Sequence, residues 1–321
     1  MTVHFDLLST SYVESYSSFL KEHYFTGFEE EYLKSDAFQH DVNEHVFRRT
    51  TRFRDHLVPW VQAVHDLKSA TVLEVGSGTG ASTLAFAPYV KEIYCYEIDE
   101  KATRAAKERM KFWELRNVHF EEQLFCPQAR FVQDGRKADV VLFITVLEHM
   151  TYGELETALR TAYRALRPGG IIVVAETPNR LSVFDYHSSW MPFYQWLPPA
   201  VRERYFDRSP RQHFVYDVGA VKANNPFRTE ERLTRWGNGV SFHDFELALG
   251  NEVHNWIVAD GWEDAVRPLA PIFKDDELLL DIFERWEIKA HRAFARSWLY
   301  LIIKRPVDQK SPTRLALNVE T

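Results

Sequence analysis

The chain reads as an α/β protein built on a doubly wound, mostly parallel sheet. Three observations predict this. Between Thr71 and Glu176, short runs rich in Val, Ile and Leu alternate with stretches of helical periodicity, the pattern of strands joined by crossover helices. The first run, Val72-Leu-Glu-Val75, leads into Gly76, Gly78 and Gly80 and then a helix-forming segment. Glycine lets the backbone turn sharply there and approach a ligand without interference from a Cβ. A later run, Ile171 to Ala175, follows a Pro168-Gly169-Gly170 turn.

Residues 1–68 read as a helical cover. Leu57, Val58, Trp60, Val61 and Val64 recur at helical spacing, and Arg48, Arg49, Arg52 and Arg54 form a basic stretch expected to be a solvated face, with contact to an anionic substrate as the lesser alternative. Residues 69–177 make the cofactor-binding sheet core, with strands at Thr71 to Val75, Glu92 to Tyr96, a third ending near Gln123, a fourth from Asp139 and a fifth from Ile171. Helices span Ala102 to Leu115 and Tyr152 to Leu166. Residues 178–240 are dense in aromatics, including Tyr186, Trp190 and Tyr194, and are broken by prolines. Such a segment emerges above the strand ends and reads as a cap that shapes a substrate pocket. Residues 241–305 resume the core with a helix at Phe242 to Leu249 and strands at Glu252 to Val258 and Trp298 to Lys304. Within them an amphipathic helix carries Leu278, Leu279, Ile282, Phe283 and Trp286, which could cover the cap or form a homodimer contact. Residues 306–321 are expected to be a flexible tail.

Composition narrows the function classes. The 321 residues allow one large domain or a domain with a substantial cap. A formal net charge of −7 argues against broad nucleic-acid binding, which needs a basic face. Cys95 and Cys126 are the only cysteines and give neither a disulfide framework nor a metal-ligand pattern, so no metal is expected. No apolar run reaches membrane-spanning length and no signal-type segment opens the chain, so a cytoplasmic protein is the simplest expectation.

Gly76-x-Gly78-x-x-Ala81 also satisfies a loose dinucleotide fingerprint. Three further features point elsewhere. Glu74 precedes the first glycine, where a carboxylate could meet an ammonium group on the ligand. Glu97 ends the second strand, placed to hold two ribose hydroxyls. Asp139-Val-Val-Leu-Phe-Ile-Thr-Val-Leu-Glu-His149 and Leu166-Arg-Pro-Gly-Gly-Ile-Ile-Val-Val-Ala-Glu176 then follow in order. Together these resemble the class I S-adenosylmethionine-dependent methyltransferases. The resemblance covers Thr71 to Thr177 and implies a Rossmann-like, seven-stranded sheet with S-adenosyl-L-methionine as cofactor. It assigns Glu74, Gly76, Ser77, Gly78 and Gly80 to the methionine part of that cofactor and Glu97 with Ile98 to the ribose side. Gln123 is placed near adenine, and Thr145 falls on the same rim after the fourth strand.

Methyl transfer from a sulfonium is an in-line displacement that rests largely on alignment. A hydroxyl acceptor also needs a base. His149 is the first candidate, as it follows the fourth strand; Glu148 and His149 could equally order the loop before the next helix. His187 is the second, with Asp185 orienting it, against a reading of Asp185-Tyr-His187 as a polar loop. Arg180, Tyr186, Trp190 and Tyr194 are candidate substrate contacts, although Arg180 could as easily fasten the cap and most aromatics belong to the insertion core. The fourth strand ends in Ile144-Thr-Val146, without the Asn/Asp-Pro-Pro-aromatic signature of nucleobase and glutamine amino-methyltransferases. The expected activity is methyl transfer to a hydroxyl, carboxylate or amine of a small metabolite, sugar or lipid-linked intermediate. The alternatives are a non-catalytic S-adenosylmethionine-binding regulator and an RNA or protein methyltransferase.

Overall fold

A seven-stranded sheet with the order β3-β2-β1-β4-β5-β7-β6 organises the computed structural model, which describes residues 5–27 and 30–307. The strands are β1 (Thr71–Val75), β2 (Glu92–Tyr96), β3 (Val118–Glu121), β4 (Ala138–Ile144), β5 (Leu166–Pro178), β6 (Ile257–Ala259) and β7 (Trp298–Lys304). The first five are parallel, while β7 runs antiparallel to both β5 and β6. The strand order reverses between β1 and β4, so a crevice opens at their carboxyl ends, the usual ligand position in such sheets. The flexible tail expected over residues 306–321 lies, from 308 onward, outside the described residues.

Alternation along the central strands divides the core. Leu73, Val141 and Phe143 pack on one face against Leu155, Ala158 and Leu159, whereas Val72, Val140 and Leu142 pack on the other against Phe53, Leu57 and Val61. Because both faces are covered, β4 is apolar at nearly every position. The main helices are α1 (Thr10–His23), α2 (Ala81–Phe86), α3 (Glu100–Phe112), α4 (Tyr152–Ala165), α5 (Gln212–Asn224), α6 (Thr229–Trp236), α7 (Phe242–Leu249) and α8 (Lys274–Arg285), of which α5 and α6 belong to the excursion between Asn179 and Val240. Thr151 and Glu154 form a reciprocal capping box that starts α4. Between α1 and β1, residues 36–62 form a helical run in which α turns alternate with π turns at Glu44–Arg48 and Phe53–Leu57. These π turns shift which side of the run faces the sheet: His45 and Arg49 reach the crevice, Phe53 lines it while packing in the core, and Leu57 stays in the core.

Between Asn179 and Val240 the chain leaves the sheet and returns. A parallel bridge joins those two residues, and Val240 donates its N–H to the Pro178 carbonyl at 2.8 Å. Met191, Tyr194, Phe206, Phe214, Val218 and Leu233 give this excursion a small core of its own.

One expectation needs correction. The strand expected at Glu252 to Val258 is instead a 3-10 segment, Asn251–Trp256, followed by the three-residue β6. Val253 and Trp256 are both buried, three residues apart, and that spacing suits a tight helical turn better than a pleat. In α8, Leu279 and Phe283 enter the main core, but Leu278 and the terminal Trp286 are exposed. Among the described residues no helix is long and apolar enough to cross a membrane.

Candidate functional site

The turn after β1 places Gly76, Gly78 and Gly80 in the left-handed region, with φ of 73°, 51° and 78°. Gly76 has no room for a side chain: an added Cβ would lie 2.3 Å from Val146 Cγ2 in the segment after β4. At Gly78 an added Cβ would meet no protein atom within 4 Å, and this glycine lines a cavity of about 250 Å3. Ser77 also lines that cavity, and its buried hydroxyl has no hydrogen-bond partner. An orphaned polar atom beside an open glycine turn fits a polar ligand group. From the other side, Tyr24 and His45 close the cavity, and His45 Nδ1 lies 2.9 Å from Thr79 Oγ1. The Tyr16 hydroxyl lies 3.1 Å from both the Thr79 and the Ala105 carbonyl oxygens. The N-terminal helices are therefore bonded directly to the glycine turn.

Glu74 does not line this cavity. Its buried carboxylate accepts hydrogen bonds from the hydroxyls of Ser82 and of Thr83 (2.6 Å), with the Cys95 thiol 3.6 Å away. Burial raises its pKa, and the two hydroxyls oppose that shift. The residue expected to meet a ligand ammonium thus fastens α2 to β1. Glu97 accepts N–H bonds from Gly78 (2.8 Å), Ile98 (2.8 Å) and Asp99 (2.9 Å), tying the glycine turn to the end of β2. Ile98 and Gln123 lie exposed past the ends of β2 and β3, on the same rim but outside the cavity.

At the ends of β4 and β5, Thr145 and Glu176 both have φ of 51°. A β-branched residue in this region is strained, and such strain persists only where surroundings hold it. Arg49 supplies the hold, donating to Thr145 Oγ1 at 2.6 Å and to Glu176 Oε2 at 2.9 Å. Arg52 pairs with Glu44 at 3.0 Å and approaches Glu176 at 3.7 Å. The arginine stretch is therefore not a solvated face; two of its members dock on the strand ends. Periodicity alone could not reveal this, because the π turns shift which side of the helix faces the sheet.

His149 and His187 meet across the crevice with ring centroids 5.2 Å apart. His149 Nδ1 bonds the Arg235 carbonyl at 2.8 Å, and its Nε2 lies 3.6 Å from Glu148 Oε1. Burial lowers the His149 pKa to about 4, the Arg235 carbonyl only partly opposing it, and lowers that of His187 to about 3 with His149 adding to the effect. Both rings are neutral at pH 7 and are weak proton acceptors for an alcohol. Asp185 does not orient the His187 ring. Its carboxylate accepts the backbone N–H groups of His187 (3.0 Å), Ser188 (2.9 Å) and Ser189 (2.8 Å) and both serine hydroxyls. It builds the turn that carries His187, and its bonds to Ser188 and Ser189 are why the ring receives none.

The cap candidates are mostly structural. Arg180 bonds Asp244 at 2.7 Å and Ser241 at 2.9 Å and lies over the Tyr152 ring, fastening the cap to α7 and α4. Tyr194 is buried in the cap core, donating to the Arg202 carbonyl at 3.3 Å. Tyr186 packs on Phe273 and Phe184, and Trp190 is half-exposed beneath the Arg211 guanidinium. None of the four lines the crevice cavities. A second cavity, of about 710 Å3, adjoins the first and shares His45, Arg49, Thr145 and His187 with it.

Residues 73–172 match a family model described as a methyltransferase domain. No curated protein matches the chain. Among solved structures, it is similar to a S-adenosylmethionine-dependent methyltransferase from Clostridium acetobutylicum ATCC 824, with 13% identity, a TM-score of 0.40, and coverage of 48% of this chain and 61% of that one. The N-methyltransferase NodS from Bradyrhizobium japonicum WM9, solved with S-adenosyl-L-homocysteine, shares 20% identity at a TM-score of 0.34, covering 51% of this chain and 74% of that one. The magnesium protoporphyrin IX methyltransferase ChlM from Synechocystis PCC 6803 shares 20% identity at a TM-score of 0.36, covering 47% of this chain and 71% of that one. The chain spans 61% of the length of each of the first two structures it matches.

Proposed function

We propose that this chain, whose residues 73–172 match a methyltransferase-domain model, is a class I S-adenosylmethionine-dependent enzyme that moves a methyl group to a hydroxyl of a small polar acceptor. One observation carries the reading: two cavities meet at a common wall made by Thr145, His187, His45 and Arg49. The glycine-turn cavity suits the methionine end of the cofactor, with Ser77 and the backbone at Gly78 holding it and Glu97 and Ile98 serving the nucleoside side along the rim. The cofactor supplies an electrophilic methyl group on a sulfonium that leaves readily as a neutral thioether. What the protein adds is alignment.

The acceptor belongs in the larger cavity. At about 710 Å3 it falls in the range of small-molecule sites. One side presents Asp41, Glu44 and Glu176 with Arg52, and the other presents Leu269, Phe273 and Trp298. That pairing favours an acceptor with a hydrogen-bonding end and an apolar or ring-shaped end. Carboxylates on the wall and the acidic chain weigh against an RNA acceptor, whose phosphates they would repel. Residues 178–240 act as the cap through the turn that carries His187. Incubating the protein with methyl-labelled cofactor and separate pools of metabolites, RNA and protein tests this. Label should pass to the metabolite fraction; exclusive labelling of RNA or protein would overturn the small-acceptor reading.

A further inference from the structure

We propose that Glu148, His149 and His187 form a binding site for one divalent transition-metal cation of the zinc(II) class, at the junction of the two cavities. The side chains converge so that one ligand atom from each lies within 4.8 Å of the others. Glu148 is wholly buried, and neither of its carboxylate oxygens accepts a hydrogen bond from another residue. Leaving such a group unsatisfied is costly, and more so if it is charged. A cation that takes the carboxylate as ligand removes both penalties at once.

The histidines are presented as ligands. A carbonyl can only accept a hydrogen bond, so the 2.8 Å contact with Arg235 puts the His149 proton on Nδ1 and leaves the Nε2 lone pair directed toward Glu148. A backbone carbonyl on the far nitrogen is the arrangement that fixes tautomer and ring angle in metal-bound histidine. The His187 ring makes no hydrogen bond to a described residue, and it packs edge-on against Trp298 at 5.8 Å between ring centroids. It lies against Glu148 because residue 237 is glycine: with φ of 126°, an added Cβ there would sit 2.5 Å from His187 Cδ2 and 3.6 Å from Glu148 Cγ. Zinc bound about 2.0–2.2 Å from each ligand needs ligand atoms roughly 3–3.5 Å apart. The Glu148–His149 pair, at 3.6 Å, is nearly there, and the His187 ligand atom, within 4.8 Å of both, has only a small shift to make on binding. Two imidazoles and a carboxylate leave a coordination position open, as in catalytic zinc sites.

That position faces the wall shared by the two cavities, which gives the cation a task neither histidine performs alone. An acceptor hydroxyl bound there is acidified: its O–H bond breaks, the proton passes to water, and the electron pair stays on oxygen beside the cation. This role rests on the methyltransferase reading; metal binding itself does not. The sequence did not suggest the site, because Glu148 and His149 alone resemble a loop cap and His187 comes from the cap segment.

Chelator-treated protein titrated with zinc(II) by calorimetry, and with cobalt(II) by visible absorption, tests the proposal. One ion per chain is expected, with affinity lowered at least 10-fold in Glu148→Gln and in His187→Gln. Gly237→Ala keeps all three ligands but displaces the His187 ring, and it should weaken binding as well. S-adenosylhomocysteine binding is measured on the same samples. Wild-type protein that binds S-adenosylhomocysteine but takes up no stoichiometric zinc overturns the metal site and leaves the function standing. Zinc uptake without S-adenosylhomocysteine binding supports the metal site and overturns the function.

Discussion

Replacing Gly76 by alanine should destabilise the protein far more than replacing Gly78, although both glycines have positive φ in the same turn. For either one, moving a side chain into the left-handed region costs roughly 1–2 kcal/mol. At Gly78 that is nearly the whole effect, because the new Cβ meets no protein atom within 4 Å. At Gly76 the Cβ would arrive 2.3 Å from Val146 Cγ2 and 2.8 Å from Val146 Cβ, and overpacking of this kind adds about 1–3 kcal/mol. Gly76→Ala should therefore lose about 2–5 kcal/mol and Gly78→Ala about 1–2 kcal/mol, read from urea unfolding. Affinity should order differently. Gly78→Ala puts its methyl into the cofactor cavity and should weaken S-adenosylhomocysteine binding more than its small stability loss implies. The clash also has a named partner: Val146→Ala removes the Cγ2 contact but keeps Val146 Cβ 2.8 Å away, so it should recover only part of the overpacking loss in the Gly76→Ala background while costing about 1–2 kcal/mol alone. A double-mutant cycle showing no coupling between the two substitutions would refute the close approach of the β1 and β4 ends on which the crevice depends.

Other substitutions probe the supports of the site. Arg49→Ala removes the bonds to Thr145 and Glu176; a loss of about 3 kcal/mol, near that for breaking a buried charged pair, should appear in thermal unfolding together with weaker cofactor binding. Arg180→Ala frees the cap from Asp244 and Ser241, so proteolysis within residues 178–240 should speed up several-fold while S-adenosylhomocysteine affinity stays within about 2-fold. Glu154 has its pKa pulled down to about 2, chiefly by its hydrogen bond to Arg235. Because that value lies below the ordinary 4.5, the stability it contributes is complete above pH 4.5 and is lost as pH falls toward 2. Arg235→Leu should flatten this part of the acid-unfolding profile, and an unchanged profile would show that the pair contributes nothing.

The sheet was legible because its signals are local. Glycines 76, 78 and 80 and the acid after β2 each mark a strand end, and Phe242–Leu249 is a helix over the range that its pattern suggests; the Pro168-Gly-Gly run, expected as the turn before β5, instead lies inside that strand at an irregularity in its pairing with β4. The side chains that furnish the crevice were harder to place. Arg49 and His45 depend on π turns within the helical run over residues 36–62, which no hydrophobic period announces. Glu74 and Asp185 are acids in suggestive positions, yet local hydroxyls and amides consume their oxygens. Only the fold distinguishes an acid that builds a turn from one that meets a ligand. Glu148 illustrates the reverse: unremarkable in sequence, it acquires meaning once His187 is folded against it from the cap.

The most direct test of the account is calorimetric titration of the purified chain with S-adenosylhomocysteine, with Gly78→Val as the control. One molecule should bind per wild-type chain, and Gly78→Val should abolish binding while retaining the circular dichroism of the folded sheet. Absence of binding of either S-adenosylmethionine or S-adenosylhomocysteine to correctly folded wild-type protein would contradict the assignment of the glycine turn, and with it the proposed methyl transfer.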